Sequence, residues 1–438
     1  MLDIKFIREN ADKIREAIKN KNIKLDLDEL LAVDKKRVES LQYIELLSAE
    51  KNKLNDLMQM SKTDDERKTA IEQGKAVKEK LEAVRPELEV LNDKYKELLY
   101  RIPNIIHPDV PVGPDESGNV VSRKVGEPKK FDFIPKDHME IGEALDIIDT
   151  KTAAITSGAR FNYIKGEAAL LQFALVQFIF HSLTDQKLIA ELAKKVDNPS
   201  DKPFVPIVPP VIVKSEIMKK MDRFDPIDDR YYLEKDDSLL VGSAEHSLGP
   251  IHMNQVIEEK DLPIRYIGYS TAFRREAGSY GKDTKGILRA HQFDKLEMEA
   301  FTVPENGEAE QDLFVAIQEY IVGKLGIPYQ VISICTGDMG KPDYRQIDIE
   351  CWIPSQDKYR ETHTSDFMTD FQARRLNTKV KRTDGKTEFV YMNDATATAV
   401  GRMLIAILEN YQNEDGSVTV PEVLRKWMPG NLERICRK

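Results

Sequence analysis

The chain has 438 residues, enough for two or three domains, with 41% hydrophobic and 32% charged residues, as expected of a globular protein with a large polar surface. A net charge of −10 excludes a general nucleic-acid-binding surface, so any RNA contact must come from local basic stripes. Three cysteines without CxxC spacing and seven histidines without HxxxH or HExxH spacing argue against a disulfide framework and a structural zinc site. The N-terminus, MLDIKFIREN, is charged at once, unlike a signal peptide, and no apolar run approaches about 18 residues. The expectation is a cytoplasmic protein with reduced thiols and no membrane span.

Residues 1–24 predict one short amphipathic helix with Ile7, Ala11, Ile14 and Ala17 on one face, net +3 from seven basic and four acidic residues. Two long helical segments follow, roughly Asp28 to Met60 and Asp65 to Tyr100. In the second, Ala70, Val77, Leu81, Val84, Leu88, Leu91, Tyr95 and Leu98 are spaced 7, 4, 3, 4, 3, 4 and 3, a heptad seam. In the first, Val38, Leu41, Ile44, Leu47, Leu54 and Leu57 form a less regular stripe. The polar stretch Ser61 to Asp65 lies where a turn belongs, so an antiparallel coiled-coil hairpin about 50 Å long is expected. Pro86 predicts a kink. Most such hairpins are spacers or dimerisation devices, and residues 25–100 carry 14 basic against 18 acidic groups, so charge alone does not announce RNA binding.

Arg101 to Pro135 is rich in Pro, Gly and Asp and reads as a linker. Beyond it, Glu140 to Ile147 reads as a short helix, Phe161 to Lys165 as a strand and Ala168 to Leu183 as a buried helix. Ala190 to Lys202 reads as a polar connection. Phe204 to Ser215 reads as a strand carrying Pro209 and Pro210, which places it at a sheet edge or boundary.

The stretch from Tyr269 to Phe301 organises the rest. Tyr269 to Phe273 ends one strand, Gly278, Ser279, Gly281 and Asp283 break regular structure, and alternation resumes at Ile287. The expected product is a pair of antiparallel strands joined by a long loop. One face carries Arg274, Glu276, His291, Phe293, Glu297 and Glu299, and the other carries Leu288, Leu296 and Met298. An arginine fork suits a phosphate, a phenylalanine face suits an adenine ring, and a carboxylate suits an ammonium group. A charged hairpin facing solvent fits the spacing equally well.

Past this pair, Glu308 to Gly326 predicts a helix, Tyr329 to Cys335 and Gln346 to Ile353 predict strands, and Asp348 and Glu350 share a face of the latter. Within Asn393 to Gln412, NDATATAVGRMLIAILENYQ, the residues Ala399, Met403, Ala406 and Ile407 predict one side of a buried helix, with Arg402 near its start.

The run FRREAGSYGKDTKGILRAHQFDKLE, Phe273 to Glu297, resembles motif 2 of the class II aminoacyl-tRNA synthetases in the form found in seryl-tRNA synthetases. The resemblance extends over nearly the whole chain. It implies an α+β fold, a class II catalytic domain built on an antiparallel sheet flanked by helices. An N-terminal antiparallel coiled-coil hairpin precedes that domain and reaches the long variable arm of a tRNA. The implied boundaries are residues 1–110 for the arm domain and 111–438 for the catalytic domain. Motif 1, a dimer interface, falls near 168–215, motif 2 at 269–301 and motif 3 at 393–412.

The implied activity is that of a serine–tRNA ligase. ATP and L-serine give seryl-adenylate, and the seryl group passes to the 3′ end of tRNA(Ser), with tRNA(Sec) as an acceptor the resemblance leaves open. Arg274, Glu276 and Arg402 are the implied catalytic residues. Arg274, Arg275, Glu276, Phe293, Arg402 and the tetrapeptide Glu361, Thr362, His363, Thr364 are implied to bind ATP, with Mg2+ on Glu361 and Thr364. Serine is assigned to Ser243, Ala244, Glu245, Arg274, Glu297, Asn393 and Thr396. The sequence departs from the family pattern at two of these places. Ser243 stands where the family has Thr, and NDATAT replaces Asn-Gly-Ser-Gly-Leu-Ala. Counting back from Arg402 without gaps puts Thr396 on the substrate-touching Ser and Asp394 on the Asn, whereas a one-residue bulge would restore Asn393. The loop Gly278 to Lys285 is implied to guide the tRNA end through Arg275, Lys282 and Lys285. Lys36, Lys51, Lys53, Lys75, Lys78 and Lys80 could neutralise tRNA phosphates along the arm.

Two other readings stay open at this level. One is an adenylate-forming enzyme that charges a carrier or metabolite, which the long arm disfavours. The other is a catalytically inactive coiled-coil partner, which would be expected to lose Arg274, Glu276 or Arg402.

Overall fold

The computed structural model describes residues 1–277 and 286–437, which form two compact units, Met1–Pro103 and Asn104–Lys438. In the first unit the expected N-terminal helix is split into α1 (Ile4–Glu9) and α2 (Ala11–Asn20), because Asn10 leaves helical geometry at φ −125°. Ile7, Ile14 and Ala17 are buried as expected, while Ala11 is only partly so. The long helices are α3 (Leu27–Met60) and α4 (Asp64–Arg101), capped at their N-termini by the side chains of Asp26 and Thr63. The α4 seam is buried or half-buried at all eight expected positions, and the helix continues through Pro86 as one element. The α3 stripe needs correction. Leu41 and Leu57 are exposed, whereas Val38, Ile44, Leu47 and Leu54 are buried or half-buried as expected, and Leu30 and Val33 are buried as well. Arg37 sits over the Tyr95 ring at 4.2 Å and reaches buried Asp34 at 3.2 Å, so a cation packs on the seam beside Val38.

The second unit is built on an eight-stranded sheet. Its strands in chain order are β1 (Val120–Val125), β2 (Val205–Ile207), β3 (Ile264–Phe273), β4 (Gln292–Thr302), β5 (Tyr329–Ser333), β6 (Arg345–Ile353), β7 (Lys358–Thr369) and β8 (Tyr391–Ala399). The order across the sheet is β1-β5-β6-β7-β8-β4-β3-β2, antiparallel except for β2 against β3. The stretch read as a linker therefore supplies an edge strand of this sheet. The expected strand from Phe204 to Ser215 is two short ones, β2 and Ile212–Lys214, in different sheets. Pro209 and Pro210 separate them because neither can donate to a ladder. Part of the expected polar connection Ala190 to Lys202 is helical, within Gln186–Lys195.

One face of the sheet is covered by α5 (Gly166–Thr184), α6 (Gly307–Lys324) and α7 (Val400–Asn410), which share a core with Leu296, Met298, Ala300, Ile349 and Ala395. By length and composition α5 could cross a membrane, but half of it is buried, with Leu171, Leu175 and Ile179 in that core. The opposite face is polar over the middle of β4, β7 and β8. It becomes apolar again at Phe301, Met368 and Met392.

Candidate active site

β3 and β4 pair antiparallel from Phe273↔Gln292 to Ile264↔Phe301. β4 begins at Gln292 rather than Ile287, since residues 286–291 form turns. Alternation then puts Phe293, Lys295, Glu297 and Glu299 on the polar face and Leu296 and Met298 in the core. Next to β4, β8 carries a bulge. Leu296 faces Thr398 but Glu297 faces Thr396, so Ala397 is the extra residue. Below the bulge the register aligns Thr396 with Glu297 and Asp394 with Glu299, and it turns Asn393 to the helix side. There Asn393 donates to the Gly307 carbonyl at 3.0 Å. The ungapped count is the one the structure realises, and Asn393 is not brought to the site.

The polar face floors a cavity of about 410 Å³ lined by Arg274, Glu276, Phe293, Lys295, Glu361, Thr364, Thr396 and Arg402. Arg274 lies over the Phe293 ring, 5.4 Å from its centroid, and is fixed by donating Nε to the Gly242 carbonyl at 3.0 Å. Arg402 donates Nη1 to Glu361 Oε1 at 2.8 Å and to the Glu361 carbonyl at 2.9 Å. Glu276 sits at φ +53° after β3, and its carboxylate accepts from Arg289 Nη1 at 3.2 Å.

A second group lies deeper. Glu297 is fully buried and accepts from Ser243 Oγ at 3.1 Å, Thr396 Oγ1 at 3.4 Å and Lys295 Nζ at 2.8 Å. Glu245 accepts from Arg223 Nε at 2.5 Å and lies 3.5 Å from His246 Nε2. Thr364 Oγ1 lies 3.2 Å from Thr396 Oγ1. Burial raises the Glu297 carboxyl above its ordinary value, and Lys295 offsets only part of that. Burial would raise Glu245 too, but Arg223 and His246 bring it well below its ordinary value. Burial pushes His246 down to about 4. The pocket thus holds one carboxylate well below its ordinary value beside Arg223 and another raised by burial although Lys295 already pairs with it.

Two models of known domains match this chain. The seryl-tRNA synthetase N-terminal domain matches residues 1–106, and the tRNA synthetase class II core domain (G, H, P, S and T) matches residues 231–411. A serine–tRNA ligase of Symbiobacterium thermophilum is 40% identical over 440 residues, covering 100% of both chains.

The chain belongs to the seryl-tRNA synthetase family.

A serine–tRNA ligase of Desulfosudis oleivorans is 41% identical, over 98% of each chain. The crystal structure of seryl-tRNA synthetase from Pyrococcus horikoshii complexed with ATP superposes with a TM-score of 0.89 at 34% identity, covering 100% of both chains. The fold is therefore that of a class II synthetase core, and the long helical hairpin that the resemblance implied is present.

Within that family frame, the structure does not bring together every residue the sequence assigned. His363 points into the interior and its hydrogen bond goes to Thr362, 2.8 Å away, while burial lowers its pKa to about 3. A bulge at Thr362, between Ile349↔His363 and Glu350↔Glu361, shifts the alternation that would have aimed His363 at the cavity. Thr362 lines the cavity, but its hydroxyl donates to the Ile349 carbonyl at 3.2 Å. Arg275 is exposed and lies over Tyr231 at 4.8 Å, with Nε donating to the Arg230 carbonyl. Ser243, Ala244 and Glu297 are buried and none of them lines the cavity, Ala244 standing just before the helix Glu245–Leu248. The loop Gly278 to Lys285, with Lys282, lies outside the described residues.

Sequence reasoning also missed residues. Lys295 lies two residues before Glu297 on one strand face, so the alternation contained it, but no role was assigned. Arg223, Arg230 and Asp366 line the cavity from separate segments, and no local pattern announced them.

Proposed function

We propose that this chain activates L-serine with ATP and transfers the seryl group to tRNA(Ser). The observation that carries this reading is the shared cleft. Arg274, Phe293, Lys295, Thr396 and Glu245 line it, and fully buried Glu297 stands just behind that lining, bonded to Thr396, Lys295 and Ser243. Adenine stacks on Phe293, with Glu276 toward its amine or the ribose edge. The serine ammonium meets Glu297, whose buried carboxyl gains a counter-ion, and the serine hydroxyl meets Ser243, Thr396 and Glu245. Arg402 flanks the nucleotide from the start of α7.

The serine carboxylate attacks the α-phosphorus in line and pyrophosphate leaves. Arg274, already pinned by Gly242, stabilises the charge that gathers on the phosphoryl oxygens. The terminal ribose hydroxyl of the tRNA then attacks the seryl carbonyl, and AMP leaves. Glu361 and Thr364 offer hard oxygen donors on the cavity wall that fit Mg2+, which would draw charge from the phosphates when bound. Alanine is rejected because the group around Glu297 loses its hydroxyl partner, and threonine is rejected by the close packing there.

The arm lysines Lys36, Lys51, Lys53, Lys75, Lys78 and Lys80 are all exposed and would meet tRNA phosphates. Leu170, Phe173, Val205, Val208 and Ile212 form exposed apolar surface around β2 and α5, which supports a homodimer through this region. We assign the protein to the cytoplasm, where its thiols Cys335, Cys351 and Cys436 stay reduced.

The test is exchange of pyrophosphate into ATP, measured with each amino acid in turn and followed by charging of tRNA(Ser) and tRNA(Sec) transcripts. Serine alone should support exchange and tRNA(Ser) should be charged. Exchange only with alanine, threonine or glycine would refute the specificity, and charging of tRNA(Sec) decides whether the second acceptor is used.

A further inference from the structure

The polar face does not end at Glu297. One cross-strand row further along, Glu299 of β4 faces Asp394 of β8, and Asp394 faces Asp366 of β7. Beyond this row the face is closed by Phe301, Met368 and Met392. Three acids therefore stand side by side on adjacent strands, an arrangement that destabilises a sheet when all carry charge. Glu245 and Glu297 crowd the same place. One oxygen each of Glu245, Glu297 and Asp394 lies within 4.8 Å of the others. The nearby cations are committed one row above. Lys295 pairs with Glu297, and Arg223 pairs with Glu245 and stands 4.0 Å from Asp394.

An independent observation points to a ligand. Glu299 is fully buried on this face and neither of its carboxylate oxygens has a hydrogen-bond partner. The same holds for both oxygens of Asp394, which is 1% exposed. Buried polar atoms are nearly always satisfied, and leaving four carboxylate oxygens unsatisfied in one spot is costly. Burial first, and then repulsion from the neighbouring acids, holds the carboxyls of Glu299, Asp394 and Asp366 well above their ordinary range.

We propose that Glu299, Asp394 and Asp366 bind a hard divalent cation of the Mg2+ or Mn2+ class beneath the amino-acid subsite, separate from any ion that accompanies the nucleotide. The donor set is all oxygen, as these ions require. Asp366 lines the open cavity and gives the ion its way in. The ion would set the depth of the pocket and fix Asp394 beside Arg223, a role that rests on the serine reading, whereas the binding itself does not.

The experiment is Mn2+ titration of the full chain without ATP or serine, followed by electron paramagnetic resonance. Wild type should take up one saturable Mn2+ per chain. Glu299→Gln and Asp394→Asn should lose it, and Glu361→Gln, at the nucleotide end of the cavity, should keep it. If wild type binds no Mn2+, protons neutralise the row and the proposal falls. It falls equally if the Glu299→Gln and Asp394→Asn proteins bind as wild type does, or if Glu361→Gln loses the ion as they do. Should Asp394→Asn fail to fold by circular dichroism, Asp366→Asn at the cavity wall takes its place in the test. Because the readout needs neither ATP nor serine, its failure leaves the exchange assay to judge the proposed function separately.

Discussion

In the helical hairpin, charge stays in water except at buried Asp34 and its partner Arg37. Lys78 and Glu82 meet at 3.6 Å with 64% and 65% of their side chains exposed. In the sheet unit, Arg265 of β3 and Glu310 of α6 meet at 2.6 Å with neither exposed, and Lys295 and Glu297 of β4 meet at 2.8 Å beside the cavity. Exposed pairs contribute only about 0–1 kcal/mol, whereas breaking a buried one by removing a partner costs about 3–5 kcal/mol. The hairpin is held by its apolar seam and can vary its surface freely. The polar sheet face instead buries the Lys295–Glu297 pair at the candidate site itself, so stability and chemistry there cannot be altered independently.

The sharpest way to test that contrast is Arg274→Ala. It removes the guanidinium over Phe293 and releases the Gly242 carbonyl. Serine-dependent exchange should fall on the order of 10²–10³-fold, as for loss of a preorganised charge-stabilising donor. The helical signal of α3 and α4 in far-ultraviolet circular dichroism should not change. Exchange at the wild-type rate would remove Arg274 from the mechanism.

Acid should separate the two units next. His246 is buried with its pKa depressed from 6.5 to about 4, chiefly by desolvation. A depressed folded-state pKa means that the neutral form carries the stability. That contribution is complete above about pH 6.5, the unfolded value, and is lost as pH falls toward 4. The loss amounts to about 3 kcal/mol for this group. No histidine occurs among residues 1–103, so this loss belongs to the second unit alone. Denaturant titrations at pH 7 and pH 4.5 check it, with His246→Gln as the control that removes this group's share of the difference and leaves the share of buried His363.

The two units were legible in the sequence for different reasons. A heptad seam is a local periodic signal, so the eight seam positions of α4 were readable directly, and α3 failed only at Leu41 and Leu57, where the flanking turns of the helix carry extra leucines. What the hairpin does was not readable from periodicity, because a seam reports burial and not partners. On the sheet the reverse holds. The placing of Phe293 and Glu297 on one strand face was readable from alternation, and the family fingerprint in Phe273 to Glu297 pointed to Arg274. The errors at Asn393 and His363 came from bulges at Ala397 and Thr362, where one extra residue exchanges the two faces of a strand. Arg223 and Asp366 were invisible because they reach the cavity from segments far apart in sequence.

The smallest expected effect tests the hairpin's side of the contrast. Lys36, Lys51, Lys53, Lys75, Lys78 and Lys80 are exposed, and none lies in the seam. Changing all six to Gln removes positive charge without touching Leu47, Leu54, Val77 or Leu81, so the melting behaviour should stay as in wild type. Serine-dependent exchange, which needs no tRNA, should also stay as it was. The KM for tRNA(Ser) in charging should rise on the order of tenfold, and the rise should shrink as salt is added, because the lost term is counter-ion release. A uniform drop in exchange and charging together would mean that the arm's surface charge acts on the sheet unit itself. A KM that does not move would take the arm lysines out of tRNA binding.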